Sequence, residues 1–274
     1  MAETEDIQNA EEQIALLRAE LSALRSELEQ TNRNSRQYLQ NVAHQLTAPL
    51  GAIKWSIEAL QDKEVAFPRK LKLFSSIYSQ ATILVHLIKN FSLMSNLEAD
   101  LELGEFREKP ERIDVLRLSI NLANDFQPQG AEGYKKILVN DDSFPVALGG
   151  NSILGVKNLL AQALSNLLEN AVKYADLRTV IKVEGVRVVP VPNTPPLFGI
   201  SVTSIGLPIL PQEVSKLLQR GFRGKAAQQK IPAGTGIGLY LANRIAELHG
   251  GTILVKAVGK ESSFILTLPQ SRIV

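Results

Sequence analysis

Apolar side chains recur through residues 5–33 at Ile7, Ala10, Ile14, Leu17, Leu21, Leu24 and Leu28, in alternating steps of three and four. In heptad terms, position a holds Ile7, Ile14, Leu21 and Leu28, and position d holds Ala10, Leu17 and Leu24, which is the seam of a coiled coil. A helix this polar elsewhere is marginal alone in water, and a second copy would bury the seam. The same spacing also suits a long helix packed on its own domain. The pattern resumes at Leu39, Val42, Leu46, Leu50, Ile53, Ile57 and Leu60, and neither Gly nor Pro interrupts the chain between Met1 and Gln45. After a polar, Pro-containing turn at residues 62–68, a second stripe runs Leu71, Phe74, Ile77, Tyr78, Ala81, Leu84, Val85, Ile88 and Phe91. Two helices with a short connection predict an antiparallel hairpin, and two hairpins from two chains would close a four-helix bundle.

From about Ile113 the character changes. Short β-like runs at residues 136–139, 179–189, 198–203, 252–257 and 262–267 alternate with apolar-periodic helices and Gly/Pro turns, the signature of a mixed α+β domain. The boundary falls in the charged stretch 103–111, which contains Gly104 and Pro110. The Pro-rich segment 190–196 reads as a loop between strands. Three parts follow: a coiled coil over 1–34, a helical hairpin over 35–103 and an α+β domain over 111–271.

Composition narrows the function classes. A chain of 274 residues with 45% hydrophobic and 21% charged residues is globular and long enough for about two domains. A net charge of +2 without a long basic run gives no reason to expect a nucleic-acid partner. The absence of cysteine removes disulfides, thiolate nucleophiles and Cys-ligated zinc, and three histidines, His44, His86 and His249, are too few and too scattered for a metal cluster. No uninterrupted run of 18 apolar residues occurs and the first residues are acidic and polar, so neither a membrane span nor a signal peptide is expected and the chain reads as cytoplasmic.

Three segments carry chemistry. On an ideal helix the apolar residues from Leu39 to Leu60 fall within roughly 80° of arc and His44 lies roughly 160° from its centre, so His44 faces solvent. A lone exposed histidine is usually inert, but Pro49 cannot donate to the carbonyl of Gln45, so the backbone beside His44 is expected to be kinked or loosened. Further on, Asn166, Asn170, Lys173 and Tyr174 stand at i, i+4, i+7 and i+8 on one helix face, with Leu164, Leu167, Leu168, Ala171 and Val172 on the other. A carboxamide oxygen suits Mg²⁺ and a lysine supplies a point charge for phosphate. Finally, Gly234, Gly236 and Gly238 directly precede an apolar-periodic helix, where bare backbone N–H groups can cradle phosphate oxygens at the positive end of the helix dipole.

With these residues in view, NVAHQLTAPLGAI resembles the phospho-accepting box of sensor histidine kinases, and residues 84–100 look like the second helix of their dimerisation and histidine-phosphotransfer hairpin, including the Leu97, Glu98, Ala99 ending. The string QALSNLLENAVKYA resembles the asparagine box of the Bergerat-type ATPase domains shared by histidine kinases, gyrase and Hsp90-like proteins. The resemblance implies an α/β sandwich for the last domain, Asn170 as the Mg²⁺ ligand, and Asn166, Lys173 and Tyr174 along the triphosphate of ATP. It places Ser204 and Gly206 in a first glycine box, and Gly234, Thr235, Gly236, Gly238 and Leu239 in a second, after a flexible lid over residues 223–232. It gives His44 the phosphoryl group, with Gln45 beside it. His249 reads as structural, and His86 as packed or solvated on its helix.

The sequence departs from that family at several positions. Gln45 replaces an acidic neighbour of the histidine and cannot become a carboxylate base; Ala48 replaces the Thr or Asn linked to phosphatase action. Ser204 stands where an aspartate reads the adenine amino group, Pro208 replaces a glycine, and Leu218 and Gly221 stand where aromatics are expected. Exchanging a charged for a neutral acceptor costs about 1–2 kcal/mol, or about five- to thirtyfold in nucleotide affinity. The resemblance implies an ATP- and Mg²⁺-dependent protein histidine kinase that forms a homodimer, receives a signal from an upstream sensor domain or protein, and passes phosphate to a response-regulator receiver domain. The departures keep open a degenerate kinase serving as a dimeric signalling scaffold.

Overall fold

The computed structural model describes residues 2–61, 66–103, 108–149, 152–189, 196–231 and 235–273; side chains at some helical positions, those of residues 2–16, 86 and 95–103 among them, lie outside the description. The chain divides into two compact units, Met1–His44 and Gln45–Val274. Helix α1, Ala2–Leu60, contributes to both.

In the first unit the described seam residues Leu17, Leu21, Leu24 and Leu28 are 56–63% exposed. A row of leucines this open rests on no other part of its own unit, so packing on its own domain is not seen at these positions. Ile7, Ala10 and Ile14 lie outside the described side chains. Glu29 and Arg33 form an exposed i,i+4 pair at 3.1 Å, which adds a few tenths of a kcal/mol to the helix.

The second unit begins with the end of α1 and continues in α2, Phe67–Leu103. The kink or loosening expected at Pro49 is not expressed as a break. The helix runs continuously through it, because a missing N–H deletes one hydrogen bond of the ladder while the neighbouring bonds persist. Pro68 falls in the first turn of α2, where its missing N–H costs nothing. In these helices Ser56, Leu73, Ser79, Asn90 and Met94 are buried, whereas Leu50, Ile57, Leu71, Phe74, Tyr78, Val85 and Ile88 are exposed. The α2 segment Phe67–Met94 contains an 18-residue window of mean hydropathy 1.2, long and apolar enough by composition to cross a membrane. Counting only uninterrupted apolar runs misses it, because Lys72, Ser75, Ser76, Ser79 and Gln80 break the run while the many Leu, Ile and Val residues keep the average high.

The α+β part runs β1 (Glu111–Asp114), α3 (Val115–Glu132), β2 (Lys136–Asn140), α4 (Ser143–Leu148), β3 (Ser152–Gly155), α5 (Lys157–Tyr174), β4 (Val180–Val188), β5 (Leu197–Ile205), α6 (Pro211–Val214), α7 (Lys225–Lys230), α8 (Gly238–Leu248), β6 (Ile253–Val258) and β7 (Glu261–Pro269). Five strands form one sheet in the order β2-β4-β5-β7-β6, parallel between β2 and β4 and antiparallel elsewhere, and β1 pairs with β3 in a separate ribbon. Each of the five expected β-runs is a strand of the large sheet.

Strand alternation builds the core. Ile181 and Val183 of β4, Phe198, Ile200 and Val202 of β5, and Leu266 and Leu268 of β7 are at most 1% exposed, whereas Lys182, Thr203 and Ser263 point the other way. The opposing layer is helical. In α5, Leu160, Ala163, Leu164, Leu167, Leu168 and Ala171 recur at helical spacing, and in α8 Leu241, Ala242, Ile245 and Ala246 do the same; all are buried. The result is a two-layer α/β sandwich. Asp114 caps α3 by accepting from the Arg117 N–H at 2.8 Å. His249 at the end of α8 is fully buried; its Nε2 accepts the Val156 N–H at 3.1 Å and its Nδ1 lies 2.8 Å from the Ile245 carbonyl. That arrangement needs the neutral ring with its proton on Nδ1, and burial lowers its pKa from 6.5 to about 4. His249 is structural, as its sequence context indicates.

Candidate functional site

The polar stripe of α5 opens into a cleft between that helix, the segment 217–227 and the start of α8. Gln45, Asn90, Asn166, Glu169, Asn170, Lys173, Tyr174, Phe222, Arg223, Thr235, Gly236, Gly238 and Leu239 line one end of it. Six residues, Asn170, Tyr174, Leu217, Gly224, Ala227 and Leu239, also line the other end, whose floor holds Ser204 and Ser262 and whose walls include Leu207, Pro208, Ile209 and Phe264. The two ends hold about 110 and about 90 Å³ of cavity space and open into each other through these shared residues. One end is polar and cationic; the other is apolar with two hydroxyls at its base.

The polar end is built for anions. The first intrahelical hydrogen bond of α8 runs from the Leu241 N–H to the Ile237 carbonyl at 2.8 Å, so the N–H groups before it have no partner in the helical ladder and stand at the positive end of the dipole. Gly236 has φ of +67°, and a Cβ there would meet backbone atoms of Gly221 and Phe222 at 2.7 Å, so this crossing admits no side chain. The Gly221 N–H donates to the Gly236 carbonyl at 3.1 Å, which fastens the two segments together. Lys173 Nζ stands 5.8 Å from the Tyr174 ring centroid. Burial holds the pKa of the Glu169 carboxyl above the ordinary carboxylate range, and neighbouring Lys173 offsets only part of that rise.

The segment expected as a flexible lid contains a short helix, α7. The Arg223 guanidinium donates to the carbonyls of Ala227, at 3.1 Å, and Ile231, and Gln228 Nε2 donates back to the Arg223 carbonyl at 2.9 Å. Lys230 Nζ reaches the carbonyls of Tyr174, at 3.0 Å, and Ala175, at 3.3 Å, and so ties this helix to the end of α5. Leu217 and Phe222 supply apolar contacts in a segment where Leu218 and Gly221 lack the expected aromatics.

Two of the candidate residues stand differently from their expectation. Asn166 is 1% exposed and its carboxamide is engaged by α2: Asn90 Nδ2 donates to Asn166 Oδ1 at 2.7 Å, and Asn166 Nδ2 donates to Asn90 Oδ1 at 3.0 Å. Gln162 Nε2 donates to the same Asn90 oxygen at 2.9 Å. Gly206 lines neither end of the cleft. A Cβ on it would fall 2.2 Å from the Tyr174 carbonyl oxygen, so its part is to let β5 close on the end of α5. Gly234 lies outside the described residues, as do the side chains of His86, Leu97, Glu98 and Ala99. His44, in the first unit, is exposed.

Sequence reasoning missed Glu169, Asn90 and Lys230. Glu169 was within reach, since it stands three residues after Asn166 and four before Lys173 on the same stripe. Asn90 and Lys230 meet α5 across 76 and 56 positions of chain, and no local pattern announces such contacts.

An exposed helical histidine, followed by an α/β sandwich whose helical layer carries an Asn/Lys stripe facing a glycine-lined helix start, defines a class. The profile of the His Kinase A (phospho-acceptor) domain matches residues 34–100, and that of the histidine kinase-, DNA gyrase B- and HSP90-like ATPase matches residues 155–272. The chain carries the two domains of a sensor histidine kinase core. Among curated proteins it is similar to the heme sensor protein HssS of Staphylococcus aureus strains JH9 and Newman, each 28% identical over 270 residues, covering 98% of this chain and 54% of the relative. The chain thus spans about half the length of the curated relatives it matches. Among solved structures, the Acinetobacter baumannii histidine kinase AdeS aligns with a TM-score of 0.52 at 18% identity, over 84% of this chain and 98% of that one. Full-length ShkA in complex with AMPPNP aligns with a TM-score of 0.50 at 17% identity, over 87% of this chain and 46% of that one. At those identities the two structures speak for the fold.

Proposed function

We propose that this chain is an ATP-dependent protein histidine kinase of a two-component system, phosphorylating His44 and passing the phosphoryl group to an aspartate of a response-regulator receiver domain. The observation that carries the reading is the convergence of Asn170, Lys173 and the start of α8 on one cleft whose other end is apolar. Such a cleft fits a nucleoside triphosphate: the base in the apolar end, the phosphates against Lys173 and the N–H groups at the start of α8, with Thr235 and Gly236 beside them. Among the described residues no group of three or more His, Asp or Glu side chains could cage a metal. The donor set instead suits Mg²⁺, which takes one or two protein oxygens, here Asn170 with Glu169 nearby, and completes its shell with phosphate and water. Bound there, Mg²⁺ would neutralise charge that builds up on the phosphates during transfer.

An imidazole nitrogen lone pair of His44 attacks the γ-phosphorus. A nitrogen–phosphorus bond forms as the bond to the bridging oxygen breaks, ADP leaves with that electron pair, and the ring proton passes to solvent. Gln45 can orient the imidazole by hydrogen bonding but cannot take the proton as a carboxylate would. In the second transfer the nitrogen–phosphorus bond breaks as a carboxylate oxygen of the receiver binds phosphorus. The open leucine seam of the first unit and the exposed apolar row Leu71, Phe74, Tyr78 and Ile88 support a homodimer through both helical regions. Ser79, buried in the apolar segment Phe67–Met94, and Asn90, buried and hydrogen-bonded to α5, support placing that helix in protein and water, and the chain in the cytoplasm, with an upstream sensor domain or protein supplying the signal. A second reading, a dimeric scaffold with little or no turnover, is favoured by the neutral Ser204 and by the engagement of Asn166 with Asn90.

Titration of the whole chain with a fluorescent ATP analogue separates the two. The kinase reading expects saturable, Mg²⁺-dependent binding that Asn170→Ala abolishes or weakens at least tenfold, the loss of a metal–phosphate bridge. No binding at millimolar nucleotide by a folded protein would overturn it in favour of the scaffold.

A further inference from the structure

The floor of the apolar end follows directly from strand alternation. On the helix-facing side, β5 presents Phe198, Ile200, Val202 and Ser204, and these pair across the ladder with Leu268, Leu266, Phe264 and Ser262 of β7. Both apolar rows therefore end, side by side, in a serine. Ser204 is 6% exposed and Ser262 8%, and both line the pocket together with Leu207, Ile209, Leu217 and Leu239. The one carboxylate in its lining, Glu213, is already committed: its oxygens accept the N–H groups of Leu210 at 3.3 Å and Lys225 at 3.1 Å. The polar edge buried deepest in this pocket is thus a pair of neutral hydroxyls.

A hydroxyl rotates to donate or to accept, whereas a carboxylate only accepts. Beneath a flat heterocycle, a carboxylate favours an amino edge and repels an oxo edge, because two acceptors facing each other in a dry pocket leave both unsatisfied. A hydroxyl pair satisfies either edge. From this we infer that the pocket is tolerant of the purine base: Ser204, with Ser262 beside it, lets GTP bind nearly as well as ATP, and Ser204 is the residue that sets base preference. The inference rests on the reading of this cleft as a nucleoside triphosphate site and names which triphosphates it takes.

The test is equilibrium titration of the full chain with Mg-ATP and Mg-GTP by calorimetry, for the native sequence, Ser204→Asp and Ser204→Ala. The native chain should bind the two nucleotides within about tenfold of each other, and Ser204→Asp should open the ratio beyond about a hundredfold in favour of ATP, as sites built around one hydrogen-bonding pattern do. Ser204→Ala should weaken both and leave the ratio near its native value. A native preference for ATP above about tenfold, or an unchanged ratio in a folded Ser204→Asp protein, would overturn the inference while leaving the kinase reading intact. The native ratio needs no variant, so the test survives a Ser204→Asp chain that does not fold. Failure of the native chain to bind either nucleotide would overturn both readings.

Discussion

Replacing Asn90 by alanine removes three hydrogen bonds at once, of 2.7, 2.9 and 3.0 Å, where α2 meets α5. All three partners are buried: Asn90 is 9% exposed, Gln162 5% and Asn166 1%. Neutral hydrogen bonds contribute about 1 kcal/mol each, and while α2 stays docked the variant also leaves the carboxamides of Gln162 and Asn166 without their partner. Undocking lets water reach those two groups, so the variant should relieve the penalty by loosening α2 from α5. The expected loss of docking free energy is about 3 kcal/mol, a factor of roughly 150 in the docking equilibrium. The chain contains no cysteine, so Lys89→Cys and Lys157→Cys place one spin label on α2 and one on α5 at exposed positions. Pulsed dipolar spectroscopy, with labelled chains diluted in an excess of unlabelled ones, should give a narrow distance distribution for native Asn90 and a broad, longer one for Asn90→Ala. Gln162→Leu, which deletes a single bond of the set, should broaden it much less. Equal distributions for native and Asn90→Ala chains would refute the reasoning.

Other perturbations test the fold and the cleft. Because the folded pKa of His249 lies below its unfolded value, its contribution to stability is complete above pH about 6.5 and falls as pH drops toward about 4, by up to about 3 kcal/mol. The urea midpoint should fall over that window, and His249→Gln should flatten this part of the profile; parallel profiles would contradict it. Gly206→Ala forces a methyl to within 2.2 Å of the Tyr174 carbonyl oxygen and should cost about 1–3 kcal/mol in chemical denaturation. Gly51→Ala, with nothing within 4 Å of the added methyl in the middle of α1, should instead stabilise by about 0.5–1 kcal/mol, and a loss there would contradict the helix assignment.

Much of the fold was legible because it is periodic. The alternation in β4, β5 and β7 and the helical spacing of Leu160, Leu164, Leu167 and Leu168 in α5 each reflect one continuous buried surface. The ribbon of β1 and β3 was not legible, since four-residue strands such as Glu111–Asp114 have too few positions to alternate and are paired only by the rest of the domain. The stripe Asn166, Asn170, Lys173 and Tyr174 could be read from helical spacing alone, and all four residues line the cleft. What spacing could not say is that Asn166 is held by a residue 76 positions earlier, or that Gly206 serves a backbone crossing and not the cleft, because both facts depend on which elements tertiary packing brings together. The lid helix α7 is likewise held by Arg223 and Lys230 through carbonyls, partners that every residue possesses and no motif marks.

The kinase reading requires that a phosphoryl group held in the cleft reaches His44. The direct measurement is incubation of the whole chain with γ-labelled ATP and Mg²⁺, followed by testing the protein-bound label for acid lability and alkali stability, with His44→Ala alongside. A working kinase gives an acid-labile, alkali-stable label that disappears in His44→Ala. Absence of label from a folded, dimeric protein at millimolar ATP, or a label that persists in His44→Ala, would contradict that reading.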